Sequence, residues 1–323
     1  MPGHSLSGPD GVIVAELIRD DVVESLHHGI VAVVDNTGKS LLERGNPSAV
    51  VYPRSTLKPL QALTVMATGV DLSPVEIALT TASHCGSLEH RDAVSAFLSH
   101  YGLDESALQC PVDWPLGLSQ RAEMAARSNG GNRLAMNCSG KHAGFLAACV
   151  HQGWDLDTYL EPTHTLQQAI LATISEYAGE TPAFSSYDGC GAPLHGLSVS
   201  GLATAIARVA SGTKDIERRY LDAVSENAWA LDGEGRDNTL TIEKIGGIAK
   251  IGAEGLVVIG TPDGVAVAVK ILDGSMRATS LVALAALASV GAISQQIAQD
   301  LTTTMATPVM AGNRIIGALR VRL

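Results

Sequence analysis

Apolar residues recur at the spacing of a β-strand in some segments and at that of a helix in others, and the strand-like segments lie near both ends of the chain. The apolar run from His28 to Val34, the turn at 35–38 and the return from Ser40 to Arg44 predict a β-hairpin. A second hairpin is predicted by 255–259 and 265–272, and a last strand by 314–321.

The middle of the chain has apolar residues at helical spacing. Ser55 begins such a pattern, which ends at Gly69, and Ser73 with Glu76 forms a capping box. Further helices are predicted over 92–100, 139–150, 163–177, 200–209, 215–231 and 278–290.

These periods predict an α+β fold in which an antiparallel sheet, built from both chain ends, is backed by helices and carries an inserted, mainly helical lobe. Residues 11–52 and 239–323 are predicted to form the sheet lobe, and residues 53–238 the helical lobe. We expect a functional site between the two lobes.

The composition restricts the kinds of core, partner and cellular location that we expect. The chain has 323 residues, 46% of them hydrophobic and only 4% aromatic, so aliphatic side chains must supply most of a globular core. A net charge of −11 argues against nucleic acid and anionic membranes as partners.

The odd number of cysteines, 5, suits a reducing compartment. Since residues 1–10 have no secretory pattern and the apolar run 281–293 is too short to span a bilayer, we expect a cytoplasmic protein.

Ser55 and Lys58 form a Ser-x-x-Lys pair at a predicted helix start. Residues three apart on a helix share one face, with about 5–6 Å between Cβ atoms, so the amine can accept the hydroxyl proton. This requires burial or a neighbouring cation to lower the lysine pKa from about 10.4. The spacing alone proves little, because Ser211 and Lys214 repeat it by accident. Ser55 is equally compatible with a simple helix N-cap.

A second lysine would supply the neighbouring cation. The segment that begins with Lys250-Ile-Gly252 leads into a predicted strand, and a Lys-x-Gly strand facing a Ser-x-x-Lys helix is typical of penicillin-binding proteins and class A β-lactamases. Lys244-Ile-Gly246 matches the same short pattern. We favour Lys250 because it precedes the apolar strand directly.

Cys138, Lys141 and Cys190 are a possible set of zinc ligands, since zinc favours thiolates with an additional nitrogen donor. Lysine is an unusual ligand because it must lose its proton. Cys138 at a helix start is also compatible with a nucleophilic thiol that has His142 as its base. From these residues alone, we favour packed thiols beside glycine turns for the two cysteines.

Several segments together resemble the bacterial asparaginase II family, the class 3 or Rhizobium-type L-asparaginases, over nearly the whole chain. The resemblance rests on 54–59 (Arg-Ser-Thr-Leu-Lys-Pro), 82–84 (Ala-Ser-His), 137–142 (Asn-Cys-Ser-Gly-Lys-His), 188–190 (Asp-Gly-Cys), 233–236 (Gly-Glu-Gly-Arg) and 250–253 (Lys-x-Gly-Ala). It implies a fold similar to glutaminases and serine β-lactamases. Members often carry a cysteine after Gly-Glu-Gly-Arg, where this chain continues with Asp237, Asn238 and Thr239.

The resemblance implies two serine–lysine pairs, Ser55 with Lys58 and Ser83 with Lys250. It also implies zinc held by Cys138, Lys141 and Cys190, and it selects Lys250 over Lys244.

The resemblance implies hydrolysis of L-asparagine to L-aspartate and ammonia. Ser55 would attack the side-chain amide after Lys58, held neutral in part by Lys250, accepts its proton; Ser83 and Lys250 would then relay protons. The predicted substrate contacts are Arg54 or Arg236 for the α-carboxylate, Asp188 for the α-amine, and His84.

Other functions remain compatible with the sequence. A glutaminase would differ by one methylene in its substrate. A β-lactamase or peptidoglycan transpeptidase would share the serine–lysine chemistry, and a zinc-binding or redox-sensing protein would use the serines only as caps. We expect a homodimer that binds a small amino acid.

Overall fold

The computed structural model describes residues 6–128 and 130–323. In these ranges the main sheet has eight strands in the order β11-β12-β1-β2-β10-β9-β8, with β3 also paired to β2. The strands are β1 Val12–Arg19, β2 Val22–Val34, β3 Ser40–Arg44, β4 Val50–Val51, β5 Ser185–Tyr187, β6 Pro193–His195, β7 Leu197–Ser198, β8 Ile248–Gly252, β9 Leu256–Gly260, β10 Ala266–Ile271, β11 Val309–Ala311 and β12 Arg314–Val321. Strands β4 and β7 form one small pair, and β5 and β6 another.

The helices lie mostly between β4 and β8 in the chain. They are α1 Lys58–Ala67, α2 Pro74–Thr81, α3 Leu88–His100, α4 Leu118–Arg127, α5 Ser139–Gln152, α6 Thr165–Ala178, α7 Val199–Ala210, α8 Asp215–Glu226, α9 Ala228–Leu231, α10 Asp237–Ile245, α11 Thr279–Ser289 and α12 Gln295–Met305. Short 3₁₀ turns occur at Gly8–Asp10, Arg54–Leu57 and Glu105–Ala107.

The predicted α+β class is confirmed, including the sheet built from both chain ends. Strand β1 pairs antiparallel with β12, so that Ala15 lies opposite Val321. The predicted strands at Ser40–Arg44 and Arg314–Val321 have the observed bounds. The helix predicted over 215–231 is instead two helices, interrupted at Asn227.

The core lies on both faces of the central strands. All six residues of β10 are buried, which requires cover on each face, and α7 and α11 both pack against this strand. A Cβ atom at Gly260 would lie 2.8 Å from Ala210 Cβ, so α7 lies very close to the sheet. Small and aliphatic residues thus replace aromatic rings in the interior, as the composition predicted.

The close approach of α2 and α5 positions the candidate site. A Cβ atom at Gly140 would lie 2.5 Å from the Leu79 carbonyl oxygen, and one at Gly144 would lie 2.4 Å from Thr80 Oγ1. Only glycine fits at such contacts without a shift of the helices. The start of α5, which carries Cys138, is therefore held next to the end of α2, after which Ser83 follows.

The expectation that no secretory signal is present depends partly on residues 1–5, which lie outside the described residues. Among those described, no helix combines the length and the apolar character needed to cross a membrane.

Candidate active site

Ser83 follows α2 in an extended segment whose backbone is fixed from two directions. The Ser83 N–H donates to the Leu231 carbonyl at 2.8 Å, and the His84 N–H donates to the Asn137 carbonyl at 3.1 Å. These contacts come from the end of α9 and the segment before α5. The position of Ser83 is therefore determined by several elements of the helical region.

Two buried lysine amines meet at the Ser83 hydroxyl. Lys58 Nζ and Lys250 Nζ each lie 2.9 Å from Ser83 Oγ. Lys58 also donates to the Ala82 carbonyl and lies 3.2 Å from Cys138 Sγ, while Lys250 donates to the Ile251 carbonyl at 3.0 Å. Lys58 is 1% exposed and Lys250 0%, so their partners must all come from the protein.

The predicted direct contact between Ser55 and Lys58 is not made. Among the described residues, Ser55 Oγ has no hydrogen bond with Lys58 Nζ, because this buried amine finds its acceptors at Ala82, Ser83 and Cys138 instead. Ser55 is also not at a helix N-cap position: Pro53 occupies that position before the 3₁₀ turn, and Leu57 occupies it before α1. It is half-buried and lines the same cavity as Ser83.

The two lysines differ in their electrostatic surroundings. Burial, followed by the positive charge of Lys58, lowers the pKa of Lys250 to about 7, although Asp232 acts in the opposite direction. Lys58 has three acceptor partners, which match the three N–H donors of an ammonium group. Lys250 is therefore the amine suited to act as a base near neutral pH, whereas the sequence had suggested Lys58.

The competing sequence matches lie elsewhere. Lys244 is exposed and pairs with Asp300 at 3.1 Å, and Lys214 pairs with Glu176 at 2.9 Å. Neither lysine lines the cavity that contains Ser55 and Ser83.

Arg54, directly before Ser55, has a left-handed backbone with φ of 52°. A residue with a Cβ atom avoids this conformation at a cost of about 1–2 kcal/mol, and such outliers concentrate at functional sites. The Arg54 side chain donates to Asp188 Oδ1 at 2.7 Å. The two residues predicted to bind opposite charges of the substrate are thus paired with each other.

A cavity of about 590 Å³ opens beside the serines. Its lining includes Ser55, Ser83, Asn137, Asp232, Arg236 and Gly252. Arg236 Nε donates to Asp232 Oδ1 at 2.5 Å, and Asp232 is 4% exposed. The sequence analysis gave a role to Arg236 but none to Asn137, the first residue of the 137–142 motif, or to Asp232, which directly precedes the 233–236 motif.

His84 does not reach this cavity. Its ring is 0% exposed, contacts Ser139 Oγ through Nε2 at 2.8 Å and stacks on His90. Burial holds the pKa of His84 well below its usual range, so the ring is neutral. The prediction that His84 contacts substrate is therefore not supported, and its position is that of a packed core residue.

The predicted metal ligands lie together behind Ser83. Lys141 Nζ is 3.0 Å from Cys190 Sγ, and all three predicted ligands are buried. A hydrogen bond from Cys138 lowers the pKa of Cys190 and correspondingly raises that of Cys138. Burial acts to lower the pKa of Lys141, but the charges of Cys190 and Cys138 outweigh it and raise the pKa.

This donor set fits zinc. In the described part of the chain, no group of three or more His, Cys, Asp or Glu side chains is arranged for a metal, so a metal held here would need the Lys141 amine as a third donor, and that amine would have to lose its proton. Two sulfurs and a nitrogen in one buried cluster, with Lys141 Nζ 3.0 Å from Cys190 Sγ, match the preference of zinc for soft ligands. His142, the base considered for Cys138, instead has Nδ1 2.7 Å from the Tyr159 hydroxyl.

A serine hydroxyl between two buried lysine amines, beside a cavity that holds a second serine, can support covalent acyl transfer of the serine–lysine type. The family model described as L-asparaginase II matches residues 15–321. The chain therefore belongs to the L-asparaginase II family, which supports an asparaginase-like amidohydrolase.

Other comparisons are more distant. A comparison with curated proteins gives no match. Solved structures with similarity include a β-lactamase from Mycobacterium bovis, with 15% identity, a TM-score of 0.45 and coverage of 81% of this chain and 94% of that one. EstCE1, a hydrolase with promiscuous acyltransferase activity, has 12% identity, a TM-score of 0.40 and coverage of 84% and 93%. Native Mglu at 4.3 M NaCl has 16% identity, a TM-score of 0.37 and coverage of 82% and 61%.

Proposed function

We propose that this protein is an L-asparaginase that hydrolyses the side-chain amide of L-asparagine through an acyl-serine intermediate. Membership of the family supports the reaction class. The observation that carries the mechanism is the Ser83 hydroxyl, which lies 2.9 Å from both buried amines and lines the cavity that contains Ser55.

In this proposal Ser55 is the nucleophile and Lys250 the base. Ser55 is half-buried and opens into the cavity, whereas Ser83 Oγ is already engaged by both lysines. The proton of Ser55 passes through Ser83 to Lys250, whose pKa of about 7 suits this exchange. Lys58 donates a hydrogen bond to Ser83, which orients this hydroxyl, and its proximity lowers the pKa of Lys250.

The bonds and protons balance over two steps. The Ser55 oxygen forms an ester with the amide carbon, the C–N bond breaks, and the relayed proton leaves with ammonia. A water molecule then attacks the ester, gives one proton to the same relay and releases aspartate while Ser55 regains its proton. Backbone N–H groups of Ser55 and Ala253, at the cavity edge, are candidates to bind the oxyanion.

The substrate charges need partners in the same cavity. Arg236 lines it and is a candidate for the α-carboxylate, and the Asp232 carboxylate beside it is a candidate for the α-amine. Arg54 and Asp188 also pair with each other, but neither of them lines the cavity. We therefore propose that this second pair fixes the turn that carries Cys190 next to the Ser55 turn.

Zinc bound by Cys138, Lys141 and Cys190 would supply a fixed positive charge close to Ser83. Cys138 contacts Lys58, which in turn contacts Ser83, so the candidate metal site and the lysines form one connected cluster. We propose that the three ligands order this cluster and position the substrate.

The test is ammonia release from L-asparagine and L-glutamine by the purified protein, together with Ser55→Ala and the control Ser211→Ala, a half-buried serine that does not line this cavity. We expect turnover of asparagine that is lost in Ser55→Ala and retained in Ser211→Ala. Preferred turnover of glutamine would identify a glutaminase, and turnover of a chromogenic cephalosporin without ammonia release would identify a β-lactamase. Full activity of Ser55→Ala would contradict the assigned nucleophile.

A further inference from the structure

Asn238 is a buried polar side chain that the proposed catalytic groups do not account for. It is 3% exposed and is the second residue of α10. Its backbone N–H lies 3.3 Å from Asp232 Oδ2, at the edge of the cavity. Its side-chain Oδ1 accepts a hydrogen bond from the Ile251 N–H at 2.9 Å. Asn238 thus connects the acidic edge of the cavity with β8, the strand that carries Lys250.

Strand β8 is the last strand at its end of the main sheet, as far as the chain is described. It pairs with β9 on one side, where Ile251 lies opposite Val257, and the backbone groups on its other edge need separate partners. The Ile251 N–H is bound by Asn238 and the Ile251 carbonyl by Lys250 Nζ. These two side chains therefore satisfy both backbone groups of one edge residue.

This arrangement determines the orientation of the Lys250 amine. A neutral amine has two N–H donors and one lone pair. With one N–H donated to Ile251, the lone pair can accept the proton of Ser83, whose oxygen lies 2.9 Å away. The charged or titratable groups that face Lys250 are Lys58 from α1, Asp232 before α10, and Cys138 and Lys141 from the start of α5.

We propose that Asn238 is a positioning residue: by holding Ile251 at the sheet edge, it fixes the carbonyl that orients the Lys250 amine toward Ser83. This inference rests on the proposed function, in which Lys250 is the base. The segment after Gly-Glu-Gly-Arg would thus help to position the base, and it would do so through the amide oxygen of Asn238.

The experiment compares Asn238→Ala, Asn238→Asp and the control Thr241→Ala. Thr241 is a buried polar residue of the same helix, 3% exposed, whose hydroxyl bonds the Asp237 carbonyl and not β8. We expect Asn238→Ala to lower kcat by about 10–100-fold with little change in KM, because the base is misplaced. Thr241→Ala should leave kcat within about twofold.

Asn238→Asp keeps an acceptor for the Ile251 N–H but adds a negative charge that favours protonated Lys250. Most of the maximal rate should therefore be retained, while the acid limb of kcat/KM moves to higher pH. If Asn238 served only folding, its substitution would lower thermal stability without moving the acid limb of kcat/KM. An unchanged limb in Asn238→Asp, or an unchanged kcat in folded Asn238→Ala, would overturn the proposal.

Failure of this inference can be separated from failure of the proposed function. Lysine residues labelled with carbon-13 at Cε report the titration of Lys250 by NMR without any substrate, with Lys250→Met to assign the signal. We expect both Asn238 variants, but not Thr241→Ala, to shift this titration. If the protein released no ammonia, the NMR shift would still test Asn238, and identical Lys250 titration in all variants would contradict its role.

Discussion

Ser83 Oγ lies 2.9 Å from Lys250 Nζ although the two residues come from opposite parts of the chain, one after α2 and the other in β8. The contact joins the helical region to the sheet at the cavity. It also explains why a lysine can be neutral there, since Lys250 is 0% exposed and Lys58 approaches the same hydroxyl.

The first prediction concerns pH. Because Lys250 must be neutral to accept a proton, kcat/KM should rise as pH increases through about 7, the pKa of this amine, and level off above it. Lys58→Met removes the cation that lowers this pKa, so the rise of its residual kcat/KM should move to higher pH. Lys244→Met, at an exposed ion pair, is the control and should leave this rise in place. If kcat/KM of Lys58→Met rose at the same pH as that of the unsubstituted protein, the assigned electrostatics would be wrong.

Backbone strain next to Ser55 gives a second prediction. Both Arg54→Gly and Arg54→Ala remove the ion pair with Asp188, but only glycine adopts the left-handed conformation at φ 52° without strain. The free energy of unfolding of Arg54→Gly should exceed that of Arg54→Ala by about 1 kcal/mol. Urea denaturation of the two variants measures this difference. Equal stabilities would show that residue 54 is not held in this conformation.

Helix packing behind the site gives a third prediction. Gly140→Ala would place a Cβ atom 2.5 Å from the Leu79 carbonyl, so α5 must shift away from α2. We expect a loss of about 1–3 kcal/mol in the free energy of unfolding, together with reduced activity as Cys138 moves. Gly189→Ala, where no atom lies within 4 Å of the added Cβ, should have little effect on stability. The comparison is made by thermal and chemical denaturation, and equal stability of the two variants would contradict the close contact.

The candidate metal site gives a fourth prediction. The purified protein should bind zinc, and cobalt-loaded protein should show thiolate-to-metal charge-transfer absorption. Cys190→Ser and Lys141→Met should weaken metal binding and reduce or abolish the cobalt signal. Cys149→Ala, which changes a buried thiol of α5 outside the cluster, should retain both properties. Unchanged metal content and cobalt spectra in all three variants would exclude this set of ligands.

The sequence predicted much of the fold because its signals are local. The capping box at Ser73 and Glu76 starts α2 as expected, and the apolar strands 256–260 and 266–271 lie where their period indicated. Strand β1 was not predicted as an element, and the interruption at Asn227 within the predicted helix was also missed. Pairing of β1 with β12 depends on residues almost a whole chain length apart, for which local periodicity gives no signal.

In the candidate site, too, local signals identified several of the residues, whereas the contacts of their side chains could not be predicted. Motifs identified Ser83, Lys58 and Lys250, which the structure brings together. The spacing of Ser55 and Lys58 predicted a contact that is not made, because the Lys58 amine is bound by Ala82 and Cys138, acceptors 24 and 80 residues further along. His84 adjoins Ser83, but its side chain points into the core. Orientation in such cases depends on tertiary contacts that spacing cannot give.

The most direct test of the account identifies which serine carries the acyl group. Ser83→Ala is incubated with L-aspartic acid β-hydroxamate, whose leaving group is less basic than ammonia and needs less help from the relay, and the acid-quenched protein is digested for peptide mass spectrometry. We predict an aspartyl ester on Ser55 that persists because water activation has lost Ser83 and its link to Lys250, and no ester in Ser55→Ala. An ester on Ser83 in Ser55→Ala, or an ester on a residue other than Ser55 in Ser83→Ala, would contradict the account.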